Sequence, residues 1–178
     1  IMAVTSKNHV QEIIKCGKDP VYFMNKYLKI QHPLKGLIPF NTYGFQDECI
    51  KEFNDHRFNI ILKSRQLGIS TLVAAYSVWQ AIFYKEKNIL IIATKLAVAQ
   101  NFIRKVKTYI KSMPKWLLVP TIVANNKQQV EFSNGSQIKA VPTSEDAGRS
   151  EALSLLIVDE AAFVRNFDEL WMGLYPTL

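Results

Sequence analysis

Along the chain the apolar positions change period several times, and each change predicts an element. Val21, Met24 and Leu28 recur at helical spacing behind Asp19-Pro20, a capping acid followed by the residue best suited to a first helical position. An N-terminal helical pair is therefore expected. Residues 31–43, with Pro33, Gly36 and Pro39, read as a connecting loop. Phe45, Cys49 and Phe53 then share one helical face. The period switches at Phe58–Leu62, a short apolar run followed by a polar loop with one glycine and by a largely apolar helix over Ser70–Tyr84, which predicts strand, loop, helix. Asn88–Ala93 repeats the strand signal, and Thr94 is placed to cap a helix on which Leu96, Ala99, Phe102, Ile103, Val106 and Ile110 share a face. Two such units in succession predict a parallel sheet. Pro114 ends that helix. Val130, Phe132, Ile138 and Ala140 alternate around Ser133-Asn134-Gly135-Ser136, a hairpin signal, and Leu153–Val158 is a third buried-strand candidate.

Composition narrows the class. With 178 residues, 48% of them hydrophobic and 21% charged, the chain is long enough for one well-filled core, and disordered and collagen-like classes are excluded. The longest apolar stretches, Ile89–Ala93 and Leu155–Val158, fall far short of the about 20 residues a membrane helix needs. Cys16 and Cys49 form no metal or disulfide pattern, which favours a reducing, cytoplasmic setting, and Ile1-Met2-Ala3 opens no secretory signal. The net charge of +7 is unevenly spread: +2 over residues 1–60, +9 over 61–120 and −4 over 121–178. A surplus confined to the middle third suits a polyanion, either nucleotide phosphates or a nucleic-acid backbone, or else marks a solvated basic face.

The segment Lys63-Ser64-Arg65-Gln66-Leu67-Gly68-Ile69-Ser70-Thr71, between a predicted strand and a predicted helix, resembles a phosphate-binding loop. The usual pattern is Gly, four residues, Gly, Lys, then Ser or Thr, because backbone N–H groups wrap the phosphates and the helix N-terminus adds positive potential. Aligned on Gly68, the chain keeps the second glycine and puts Ser70 where a hydroxyl would bind Mg²⁺. It departs from the pattern twice, with Lys63 in the first glycine slot and Ile69 in the lysine slot. The charge of a triphosphate must still be offset, and Lys63 and Arg65 are the candidate cations inside the loop. A plain strand-to-helix turn is the competing account.

Leu155-Leu156-Ile157-Val158-Asp159-Glu160 adds weight to the first account. A buried parallel strand ending in two acids delivers both carboxylates to the sheet's carboxyl edge, where open α/β folds bind ligands. Asp159 can then hold Mg²⁺ through water, and Glu160 can orient and deprotonate an attacking water. Otherwise the pair is a strand end running into a helix cap. Upstream, Gln46 carries one acceptor and two donors, enough to read an adenine edge, with Tyr43 and Phe45 beside it for stacking; an ordinary helix-start glutamine is the alternative.

Together these residues resemble the ATPase domain of the large terminase subunit of tailed double-stranded-DNA bacteriophages, over about Phe45 to Pro176. In that family the loop often reads Ser-Arg-Gln-Leu-Gly, then Lys or Ile, then Ser or Thr, as Ser64–Thr71 does here. Ile89–Lys111, the hairpin Val130–Ala140 with Asn134-Gly135, and Asp159-Glu160-Ala161-Ala162-Phe163 carry the rest of the likeness. The resemblance implies an α/β fold of the additional-strand, RecA-like P-loop NTPase type, with a mainly parallel central sheet flanked by helices. Residues 1–43 would form an N-terminal helical or lid segment and 44–178 a partial ATPase domain. It implies ATP and Mg²⁺ as ligands, Gln46 as the adenine reader, and Arg149 as a finger acting across a subunit interface; a surface arginine paired with Glu145 or Glu151 is the other reading of Arg149. The family's coupling motif and its RNase H-like nuclease domain are expected beyond Leu178, so the chain should be C-terminally incomplete, incapable of cleavage, and left with exposed apolar edges.

The function so implied is ATP-driven translocation of double-stranded DNA into a procapsid, in the cytoplasm of an infected bacterium. Partners would be a portal protein, a small terminase subunit and a ring of identical copies, with no membrane. DNA would be gripped without base reading by Arg104, Lys105, Lys107 and Lys111. Two rivals stand beside it. A helicase-like ATPase would need a second RecA-like domain and stacking aromatics, for which the chain is too short. A non-hydrolysing nucleotide- or nucleic-acid-binding module would explain Ile69, and Asp159-Glu160 argues against it.

Overall fold

The computed structural model describes residues 7–143 and 152–178. The chain begins with α1 (Lys7–Lys18) and α2 (Pro20–Tyr27), the expected helical pair. Asp19 caps α2 as its sequence position predicts, its Oδ1 accepting from the Tyr22 N–H at 2.8 Å with Pro20 in the first turn. The stretch read as a loop is partly ordered instead. Strands β1 (Lys29–His32) and β2 (Gly36–Pro39) form a small antiparallel ribbon, and Gly36 turns it at φ 69°. Four-residue strands with proline at the end of one carry too little alternation to stand out from a loop.

Helix α3 (Gly44–Asp55) leads to the largest departure from expectation. Phe58–Leu62 forms no strand. The run is irregular, Ile60 and Leu62 are fully exposed, and Phe58 lies among the rings of Trp171 and Tyr175. Apolar, β-branched composition supplies propensity, but a strand exists only where another strand takes its hydrogen bonds. Among the described residues, none pairs with this run.

Helix α4 (Ile69–Phe83) emerges from the polar loop, followed by β3 (Asn88–Ala93) and α5 (Leu96–Ser112). Lys95, not Thr94, occupies the cap position of α5, and no side chain bonds the helix start. Then come β4 (Ile122–Asn125), β5 (Gln129–Phe132), β6 (Gln137–Pro142), β7 (Leu155–Val158) and α6 (Phe167–Leu174). The main sheet has the order β4-β5-β6-β3-β7. It is mixed, not mainly parallel. β3 runs parallel to both β6 and β7, whereas β4, β5 and β6 are successive antiparallel neighbours. The reason is the tight β5–β6 turn, which reverses direction through Gly135 at φ 81°. Asn134 anchors that turn by donating from Nδ2 to the carbonyls of Ala81 and Tyr84, two acceptors at the end of α4.

Both faces of β3 are buried, which is why Ile89–Ala93 reads as an unbroken apolar run. Ile89, Ile91 and Ala93 face a core shared with α4, α5 and the N-terminal elements, including Cys16, Phe23 and Phe40. Leu90 and Ile92 face a second, smaller core with Val164, Leu170 and Leu174. Alternation along a strand divides the two sets. The larger core clamps α4 from several sides, and Trp79 Nε1 also donates to the Cys16 carbonyl at 2.9 Å. The loop ahead of α4 therefore starts from a fixed helix end.

Candidate functional site

The three parallel strands end in register. Ala93 lies opposite Pro142, Ile92 lies opposite Val158, the Thr143 N–H donates to Ala93 O, and the Asp159 N–H donates to Ile92 O. Thr94, Thr143 and the Asp159-Glu160 pair are thereby gathered at one sheet edge. The glycine loop arrives at the same edge on the front of α4. Ser70 Oγ donates to Asp159 Oδ2 at 2.9 Å, across 89 residues of sequence. The loop and the acidic pair thus meet at one place, although the loop follows the irregular run Phe58–Leu62 and not the strand end expected for it.

The loop's shape has two further supports. Gln66 and Gly68 both adopt left-handed backbone, at φ 66° and φ 72°, and Gly68 O accepts from the N–H groups of Thr71 and Leu72 to begin α4. Gln46 is buried beneath it. Its Nε2 donates to the Leu67 carbonyl at 3.0 Å and its Oε1 accepts from the Tyr43 N–H at 3.2 Å. In this structure Gln46 ties the start of α3 to the loop. A Cβ at Gly68 would stand 2.9 Å from Gln46 Nε2. Gly68→Ala is therefore expected to cost about 1–2 kcal/mol for the left-handed backbone alone and more as the Gln46 amide moves. Thermal or denaturant melting checks this, and an unchanged stability would show that the loop relaxes freely.

The remaining predicted residues divide between the two sides of the loop. Lys63, Ser64, Arg65 and Gln66 are exposed. Arg65 lines a cavity of about 610 Å³ with Thr94, Lys95, Thr143, Glu160 and Arg165. Lys63 lies instead on a groove of about 420 Å³ beside Ile60, Leu67 and Ile69. Ile69, in the slot of the phosphate-binding lysine, is buried in the main core, so this position serves packing. Thr71 offers its carbonyl to the Tyr109 hydroxyl at 3.0 Å. Glu160 is exposed and held in left-handed backbone at φ 56°, ψ 43°. Arg149 lies outside the described residues.

The α5 cations do not form one row. Arg104 and Lys111 are exposed, Lys107 Nζ donates to the Asn126 carbonyl at 2.7 Å, and Lys105 is half-buried. Thr94, Lys95, Thr143 and Arg165 are additions that the sequence reading did not make. The first three follow the carboxyl ends of parallel strands, a position that was itself the available signal. Arg165 lies beyond a short 3-10 turn, Ala161–Phe163, and carries no periodic mark.

A hydroxyl and a carboxylate in contact are hard oxygen donors. Mg²⁺ commonly takes one or two protein oxygens and completes its shell with water and substrate phosphate, and Ser70 with Asp159 fits that demand. Among the described residues no group of three or more His, Cys, Asp or Glu side chains gathers into a site for a metal held by protein alone.

The fold is similar to that of a solved structure, the crystal structure of the HK97 bacteriophage large terminase, with a TM-score of 0.71 and 17% sequence identity. That likeness covers 91% of this chain and 35% of the other, so the chain spans about a third of the protein it matches. The family described as "Terminase large subunit, T4likevirus-type, N-terminal" matches residues 60–174. That match begins just before the glycine loop, takes in the Ser70–Asp159 contact and ends with α6. With more than half of its residues inside the match, the chain belongs to the family of T4-like-virus-type terminase large subunits.

Proposed function

We propose that this chain is the ATP-hydrolysing part of a phage DNA-packaging motor. The observation that supports this reading best is the Ser70–Asp159 hydrogen bond, which brings a phosphate-loop hydroxyl to a strand-end carboxylate. Ser70 and Asp159 would hold Mg²⁺, which when bound neutralises charge on the β- and γ-phosphoryl oxygens. The helix N-terminus behind Gly68 adds positive potential, and Arg65 and Lys63 offer cations from either side of the loop. Glu160 would take a proton from a water whose oxygen attacks the γ-phosphorus, as the bond to the bridging oxygen breaks and ADP and phosphate form. Arg149 would come from a neighbouring copy in a ring, so a lone protomer would turn over slowly. Double-stranded DNA would be the cargo, with the portal protein and small terminase subunit as partners at the procapsid in the bacterial cytoplasm. No described helix is long and apolar enough to cross a membrane.

One observation favours a second reading. Ile69 is a core residue in the slot where the usual phosphate loop carries lysine, as expected of a module that binds nucleotide without hydrolysing it. Titrating a fluorescent ATP analogue with and without Mg²⁺, alongside phosphate release at rising protein concentration, separates the two. We expect Mg²⁺-dependent binding and a specific release rate that rises with concentration as copies meet. Binding with no release at any concentration would favour the non-hydrolysing module, and absence of binding would remove both.

A further inference from the structure

The phosphate loop lacks the lysine that normally follows its second glycine, and the structure points to a replacement outside the loop. Lys105 on α5 is half-buried on the same stripe as Phe102, Val106 and Tyr109, the apolar side of the helix. It makes no hydrogen bond or ion pair among the described residues. One turn further on, Tyr109 donates its hydroxyl to the carbonyl of Thr71, so this side of α5 packs against the opening turn of α4. Side chains on a helix lean toward its N-terminus. For α5 that end adjoins the carboxyl edge of β3, where the Asp159 N–H bonds Ile92 O. Lys105 is thus directed toward the loop and Asp159. Burial pushes its ammonium below the usual lysine range, while the charge of Asp159 acts to raise it and that of Lys63 to lower it.

A cation withdrawn from water without a carboxylate of its own is costly to keep. Asp159 is engaged by Ser70, and the nearby charge of Lys63 is of like sign. An anionic oxygen entering between the loop and Asp159 would offset that cost, and a lysine's compact charge on a flexible stem can follow it. We infer that Lys105 binds the oxygen anions of the triphosphate, supplying from α5 the charge that Ile69 cannot. This rests on the reading of the loop as a triphosphate site. It also withdraws Lys105 from the row of DNA-gripping cations.

The test is to titrate wild type, Lys105→Met, Lys105→Arg and, as a control for a lost exposed charge, Lys115→Met with Mg²⁺-ATP and with AMP. Each protein is also melted without nucleotide. Lys105→Met should lose about tenfold or more in ATP affinity with AMP affinity unchanged, the scale of one charge-assisted contact. Its melting temperature should equal or exceed that of wild type. A purely structural role predicts the opposite movement of stability. Lys105→Arg should recover part of the ATP affinity, and Lys115→Met should match wild type. If Lys105→Met melts early, the ratio of ATP to AMP affinity within each variant decides. An unchanged ratio in Lys105→Met, with wild type still preferring ATP, overturns this inference alone. A wild type that does not prefer ATP overturns the triphosphate site and the inference with it.

Discussion

Glu160→Gln is expected to lower the rate of phosphate release by about 10²- to 10⁴-fold while ATP affinity stays close to wild type. Glutamine keeps the size and the hydrogen-bonding reach of glutamate but cannot take a proton. Position 160 also pays for its place: left-handed backbone at φ 56° costs a non-glycine residue about 1–3 kcal/mol, a strain that surrounding structure must hold. Here the Phe163 N–H donates to Glu160 O and the Val164 N–H to Ala161 O, closing the short turn that fixes the residue. Glu160 lines the cavity together with Thr94, Thr143 and Arg65. Single-turnover phosphate release, read beside nucleotide binding, checks the outcome. Normal hydrolysis by the glutamine variant would show that another group takes the proton.

Asp159→Ala should abolish the Mg²⁺ dependence of ATP binding, with affinity in the presence of the metal falling by about a hundredfold or more. Two losses coincide in this variant, since the carboxylate leaves and the Ser70 hydroxyl loses its acceptor. Asp159→Asn separates them. The amide oxygen still accepts from Ser70, so the loop should keep its position, but a neutral group no longer attracts a dication. Magnesium titrations at fixed nucleotide should therefore show Asp159→Asn close to Asp159→Ala. If Asp159→Asn retained the wild-type magnesium midpoint, Asp159 would be a loop anchor and the metal would sit elsewhere.

The segments that meet at the candidate site were more legible in the sequence than the sheet beside them. Gly68, Ser70, Asp159 and Glu160 were singled out because a helix start and a strand end are local features; the first turn of α4 meets the end of β7 although the run before the loop joins no sheet. The direction of the sheet was less legible. The parallel neighbours of β3 and the hairpin at Asn134-Gly135 were each legible, but not that β4 and β5 join β6, β3 and β7 in one sheet and make it mixed. Phe58–Leu62 shows the limit of composition. A mostly apolar run with two isoleucines and a phenylalanine stays irregular because pairing depends on a neighbour and not on the run itself. Gln46 was singled out for its amide, yet that amide bonds the loop backbone, a partner 21 residues away that no local pattern could reveal. Lys105 was hidden by its neighbours Arg104 and Lys107, since a cluster of charges in sequence says nothing about which one turns inward.

The bare run around Ile60 and Leu62 has a practical side. Fully wetted aliphatic groups on a polypeptide with net charge +7 place adhesion and repulsion in opposition. Raising the ionic strength shortens the reach of the repulsion, to about 8 Å at physiological salt, and leaves the adhesion in place. High-salt buffers are therefore expected to favour clumping, and dilute, low-salt solutions offer the widest working range.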